Sequence, residues 1–278
     1  ALHQSDRNCA EAAEAGGLLT MGELIQKCAN NLAAGGAVPV AVELTLLLPT
    51  GTEEGKLREL AAEAEKKCQE LSMQIIGGQT SSSCLVHAPV AVAAGYGKSL
   101  YRDRQGSRVV LPGQDIVVSK WIGLQGTALL AGWNRERLLG RYPARLVEEA
   151  RGFGRYLSVL PEAQAAVEFG VSSMHDASRG GILAALWEIA EGAGMGLTVD
   201  MRRLPLRQET VEVCEFCNVN PYQLLSGGSL VMTTPDGAGL AEALKSRGIS
   251  AQVVGRITDG NDRILLNEGE IRYLDRPK

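Results

Sequence analysis

Strand-like and helix-like segments alternate along the chain from about Thr20 onward, and this alternation most constrains the fold. TMGELIQKCANNLAAGGAVPV predicts a helix from near Thr20 to Gly35-Gly36, where glycines can take the left-handed closing conformation. VPVAVELTLLLP predicts a buried strand closed by Pro49, and residues Glu53 to Leu71 a helix with opposite charges three and four residues apart. A short strand SMQIIGG, a polar turn QTSSSC and a strand through PVAVAAGYG follow. Beyond a Gly/Arg-rich, hairpin-like stretch come a strand DIVVSKWIG and a helix GLQGTALLAGW. Residues 135 to 160 are charged and helical and are expected to link two halves. The pattern then restarts with AAVEFGVSSMHD, a helix after Gly180, a strand MGLTVDMRR and a helix around Glu209 to Cys217. A strand SGGSLVMTTP, a helix GAGLAEALKSRG and closing strands in AQVVGRITDG and DRILLNEGEIRYL end the chain. The class is therefore α/β (α+β), with domains expected at 1–140 and 141–278.

Composition narrows the function. Apolar residues make up 45% and charged residues 22% of the 278, a globular profile. Aromatics are only 4%, so the core must be aliphatic. A net charge of −4 lacks the basic surplus of a phosphate-backbone binder, so no nucleic-acid partner is expected. The N-terminal stretch has no apolar signal-peptide core, and the longest apolar run, near Ala88 to Ala94, is far short of the ~20 residues of a membrane span. The six cysteines then read as reduced thiols, and a cytoplasmic protein without membrane contact is expected.

Five stretches carry chemistry. In MHDASRGG, Asp176 or Ser178 can cap the following helix, but a cap explains neither Arg179 nor Gly180-Gly181, which cost ~1 kcal/mol each inside a helix. Two glycines at a helix start admit a bulky anion to the backbone amides, and Arg179 can clamp its oxygens. IIGGQTSSSC is a plain turn or a phosphate-facing loop. Lys120 in SKWIGLQGT is an exposed strand-end lysine or a cation reaching phosphate. SGGS at 226–229 is a tight turn or a second backbone cradle. Cys214 and Cys217 make a single CxxC late in a helix, where packing is the default, because structural zinc needs four ligands.

Taken in order, these stretches resemble the aminoimidazole ribonucleotide (AIR) synthase superfamily, nearest its hydrogenase maturation branch of HypE-like carbamoyl dehydratases. MHDASRGG resembles the HD-x-[ST]-RGG signature, NNLAAGGAVPVAVELTLLLP the asparagine-aspartate helix and its strand, and IIGGQT the GGDT motif. GQDIVVSKWIGLQGTALLA and NPYQLLSGGSLVMTTP resemble two later segments. The resemblance implies an N-terminal α/β domain whose sheet joins its twin's into a dimeric β-barrel, a C-terminal α/β domain, and ATP in the cleft between them. It implies ATP-dependent activation or phosphotransfer on a nucleotide or other anionic small molecule, a homodimer, and a protein partner in a maturation pathway. Catalytic roles fall on His175, Asp176 and Arg179. Nucleotide contacts fall on Asn30, Asn31, Gly77, Gly78, Gln79, Thr80, Lys120, Gly180 and Gly181.

The chain departs from the family where magnesium should bind. Asn31 and Gln79 stand where the family has aspartates, and Met21 falls near a third. Amides bring no charge to a hard cation, so Mg²⁺ binding is expected to be weakened, with Asp176 and Asp115 as substitutes and no assigned metal ligand. The chain is also expected to start after the family's glycine-rich first strand. It ends YLDRPK, without the terminal cysteine that carries the carbamoyl group in that branch. A catalytically degenerate paralogue, serving as a binding or scaffold partner, is the alternative.

Overall fold

The computed structural model describes residues 7–14, 20–100 and 109–277. They fall into two units, Ala1–Arg102 and Asp103–Lys278. The first contains β1 (Arg7–Glu14), α1 (Met21–Ala34), β2 (Ala37–Pro49), α2 (Glu54–Glu70), β3 (Gln74–Ser83) and β4 (Val90–Ser99). Thr20 starts α1 with a reciprocal capping box: its hydroxyl accepts from the Glu23 amide, and the Glu23 carboxylate accepts from the Thr20 amide. Leu24, Ile25, Cys28 and Leu32 form the buried stripe of α1. The sheet runs β1-β4-β2-β3, with β2 and β3 parallel and the other pairs antiparallel. Small residues on β4, Ala91, Ala93 and Gly95, let α1 approach closely; a side chain at Gly95 would strike Cys28 and Leu32.

Two local readings change. Of the predicted polar turn QTSSSC, Gln79–Ser83 is the second half of β3, which pairs from Gln74 to Ser83 along β2 and forms one edge of the sheet, and only Cys84 lies in a turn. Its turn-forming residues are held extended by tertiary pairing, which overrides their local preference. RNCAEAAE, for which the sequence suggests no element, is β1, because β4 supplies its ladder. His3 and the Gly/Arg-rich stretch at 101–108 lie outside the described residues.

The second unit contains β5 (Asp115–Ser119), α3 (Leu124–Trp133), α4 (Arg135–Leu139), α5 (Ala144–Arg151), a 3-10 turn at Gly152–Tyr156, α6 (Leu160–Phe169), β6 (Ser173–Asp176), α7 (Gly181–Ala193) and β7 (Gly196–Asp200). It continues with α8 (Gln208–Cys217), β8 (Leu230–Thr234), α9 (Gly237–Lys245), β9 (Ala251–Thr258), β10 (Arg263–Asn267) and β11 (Glu270–Tyr273). Its seven strands run β11-β10-β7-β9-β5-β8-β6. One core joins Ile116 and Val118 of β5 to Ile182, Leu186 and Ile189 of α7 and to Leu197, Val231 and Val254. A second joins Ala131, Leu138, Val147, Ala150 and Val213. The mixed α/β class holds, but the division falls at Arg102/Asp103 rather than at the expected 140/141. β5 lies between β8 and β9, and α3 and α4 share a core with α5 and α8, so residues 115–140 belong to the second unit.

Candidate functional site

Three motifs that lie far apart in the sequence interlock in the second unit. β6 ends at Asp176, the chain passes through Ala177 to Gly180, and α7 begins at Gly181. The Ser226–Ser229 crossing lies over this turn: the Ser226 amide donates to the carbonyls of Ala177 and Ser178 (3.2 and 3.3 Å), and the Ala177 amide donates to Ser229 (3.1 Å). The same crossing holds the segment after β5. The Ser229 hydroxyl donates to the Trp121 carbonyl (2.6 Å), the Gly123 amide to Ser226 Oγ (2.7 Å), and the Leu230 amide to Ser119 Oγ (3.0 Å). HDASRGG, SKWIG and SGGS are thus one hydrogen-bonded assembly.

Neither Asp176 nor Ser178 caps α7; Gly180 is its N-cap residue, in the left-handed region at φ 71°, with no side-chain cap bond. Gly181 is also left-handed, at φ 68°. A Cβ on Gly181 would lie 2.6 Å from the carbonyl oxygens of both Tyr222 and Leu224, and the Leu183 amide donates to Tyr222. Protein carbonyls therefore already occupy part of the positive end of this helix. Arg179 is exposed beside it. A groove of about 620 Å³ adjoins Gly180, walled by Leu183, Ala184, Gln223, Leu265 and the Tyr273–Pro277 strap. His175 Nδ1 lies 2.8 Å from the Asp176 carbonyl and Nε2 lies 3.0 Å from Glu188 Oε2. Both ring nitrogens therefore face oxygen atoms, which fixes the plane of the ring. Asp176 is buried at the end of β6.

Lys120 departs most from its sequence reading. It is 9% exposed and takes a left-handed φ of 53°. Its ammonium donates to the carbonyls of Tyr156 (2.9 Å) and Ser158 (2.6 Å) and pairs with Glu162 Oε1 (2.6 Å), so three donors have three acceptors inside the fold. Burial lowers its proton affinity below the usual lysine value, while Glu162 and then Asp176 act in the opposite direction. Glu162, in the first turn of α6, was missed. Its only sequence signal is a lone acid in the apolar run LPEAQAAV.

The remaining residues lie in the first unit. Asn30 is buried on α1 and accepts from Gln26 Nε2 (3.0 Å); Asn31 follows it in the last turns of the helix. Gly77, Gly78, Gln79 and Thr80 are exposed along β3, where Gly78 lies so close to the Leu44 carbonyl that a side chain would collide with it. Met21 is 4% exposed and packs in the core. Asp115 is committed as well: Oδ2 accepts from the Gly237 amide at the start of α9 (3.1 Å), and Oδ1 from Arg256 (3.0 Å). Among the described residues no three His, Cys, Asp or Glu side chains are grouped to hold a metal. At the positions where the resemblance implies Mg²⁺ carboxylates, Asn31 and Gln79 bring no charge to a hard cation.

Two α/β units, the second starting a helix on paired glycines just after a strand-end histidine and aspartate, define the class of protein. The chain belongs to the AIR synthase related protein family: the family's N-terminal domain matches residues 21–98 and its C-terminal domain residues 111–266. It is 29% identical over 242 residues to the carbamoyl dehydratase HypE of Rhodobacter capsulatus, covering 82% of this chain and 66%, just under two thirds, of that protein. The crystal structure of E. coli HypE, a hydrogenase maturation protein, has the same fold (TM-score 0.80, 21% identity, 98% of this chain and 85% of that one). So do HypE in complex with ATP (0.79, 19%, 98% and 85%) and HypE in a HypE-HypF complex (0.75, 20%, 98% and 90%). Among the described residues no helix is long and apolar enough to cross a membrane.

Proposed function

We propose that this HypE-like protein binds ATP or a related anionic nucleotide at the HDASRGG face and uses it in ATP-dependent activation or phosphotransfer, as a homodimer working with a protein partner in metalloenzyme maturation. The observation that carries this reading is the interlocked assembly that presents Arg179 and the glycine-lined start of α7 beside the 620 Å³ groove. A volume of that size suits a small-molecule ligand, and an exposed guanidinium suits its oxygens. ATP in one similar HypE structure and the partner in another support the ligand and the partner class. In this reading Arg179 binds and His175 and Asp176 lie at the reacting end, while Asn30, Asn31 and the Gly77–Thr80 stretch of β3 are nucleotide contacts offered by the first unit.

A second reading has its own observation. Where the resemblance implies acids the chain carries two amides, Asn31 and Gln79, and the buried Met21 falls near the third position. A protein that binds nucleotide or a partner without turning over fits that loss. Millimolar ATP or ADP, with and without Mg²⁺, should raise the melting temperature, since any native-state ligand stabilises. Arg179→Ala should abolish most of the rise. Turnover that falls with Arg179→Ala selects the enzyme; a shift without turnover selects the scaffold. No shift with any nucleotide removes both nucleotide readings.

A further inference from the structure

We infer that Lys120 and Glu162 form a buried positioning pair that sets the HDASRGG turn and keeps a cation at the Asp176 end of β8, instead of reaching the ligand's phosphate. The inference deepens the proposed function and rests on it only for its nucleotide readout.

The geometry runs outward from the ammonium. Lys120 Nζ gathers the carbonyls of Tyr156 and Ser158 and the Glu162 carboxylate, fixing the turn between the 3-10 segment and α6. That turn is the floor of the SGGS crossing: a Cβ on Gly228 would lie 2.6 Å from the Tyr156 carbonyl and 3.0 Å from Leu157 Cα. The crossing in turn holds the amides and carbonyls of Ala177 and Ser178. An unbroken set of contacts therefore runs from Lys120 to the residues between Asp176 and Arg179. A bulky side chain in the left-handed region is tolerated only where its surroundings fix it, and such positions concentrate at working sites.

The charges make the same connection. Lys120 pairs with Glu162, and it follows Ser119, whose Oγ accepts from the amide of Leu230, the β8 partner of Asp176; the Asp176 charge accordingly also favours the charged lysine. The side chains of Lys120 and Glu162 are 11% and 3% exposed, and Glu162 Oε2 is buried without a hydrogen-bond partner. Removing one member of such a pair strands a buried charge, whereas replacing both with apolar groups of similar volume is far milder.

Hydrogen exchange and ATP affinity in Lys120→Met, Glu162→Gln, Lys120→Arg and Lys120→Met/Glu162→Met test the inference. Each of the first two should speed exchange of the Ala177 and Ser226 amides by at least about tenfold, and the double variant should recover most of the protection. Lys120→Arg, still cationic, should keep both protection and ATP affinity. The double variant should still bind ATP at least about tenfold more weakly than the parent, because a positive charge near Asp176 is gone. A merely structural pair would recover both together, and that outcome overturns the inference. So does loss of ATP affinity in Lys120→Met with Glu162→Gln unchanged, which would mark the ammonium as a direct phosphate contact. If the parent binds no nucleotide the proposed function fails, and the exchange data alone decide for or against the pair.

Discussion

A methyl group on Gly181 would meet two carbonyl oxygens at 2.6 Å, on backbone already at φ 68°. Gly192, in the same helix, has nothing within 4 Å of its would-be Cβ. Gly181→Ala should therefore cost roughly 2–4 kcal/mol in urea unfolding of the ligand-free protein. Gly192→Ala should be neutral or stabilising by up to ~1 kcal/mol. If Gly181 served only to admit an anion, its alanine variant would lose affinity and keep full ligand-free stability, and that result would refute the packing account. In the sequence the glycine pair points toward a ligand. Its actual neighbours, Tyr222 and Leu224, lie some forty residues on, and no local pattern announces them. Lys120 shows the same limit. A lysine at a strand end reads as surface, and only the fold brings Glu162 and two carbonyls to it.

At the scale of elements, α8 holds the chain's one CxxC, with Cys217 packed against the α3–α5 cluster and Cys214 buried. Burial and the neighbouring Cys217 push the Cys214 thiol up to about 11, and burial raises Cys217 as well. The sign follows directly. The neutral thiol is favoured in the fold, so its contribution to stability is complete below the unfolded value near ~8.5 and is lost as pH rises through about 11. Native Cys214 should accordingly be alkylated at pH 8 at least about 100-fold more slowly than exposed Cys84. Mass spectrometry of iodoacetamide-labelled peptides measures this, and equal rates would show that α8 opens readily. The packing default read from the sequence is what α8 displays. The helices and buried strands were legible because their apolar spacing is local. β3 was only half legible, because GGQTSSS has turn composition and becomes a strand through pairing with β2.

For the whole molecule, the two-domain organisation was readable from the order of motifs, but the boundary was not. β5 follows the first unit in sequence and is inserted into the second unit's sheet. The first unit leaves apolar side chains exposed, Val38 (44%), Ile75 (44%), Ile76 (49%) and Val92 (37%), and β3 ends its sheet. That pattern suits the proposed homodimer, since an apolar sheet with a long edge strand is normally covered. Light scattering should give twice the chain mass for the parent and a single chain mass for an Ile75→Asp/Ile76→Asp variant. A parent of single-chain mass would remove the dimer from the proposal.

The interior position of β5 also shapes how the second unit comes to exist. β5 is the first strand of that unit to be synthesised, yet it hydrogen-bonds to β8 and β9, and its Asp115–Arg256 ion pair spans 141 residues. Closing so long a loop is slow, because the entropy must be lost before any contact rewards it. A ribosome must therefore make almost the entire unit before its sheet has a middle, and until then Ile116, Val117 and Val118 remain an uncovered apolar strand that a chaperone or a neighbouring chain can grasp.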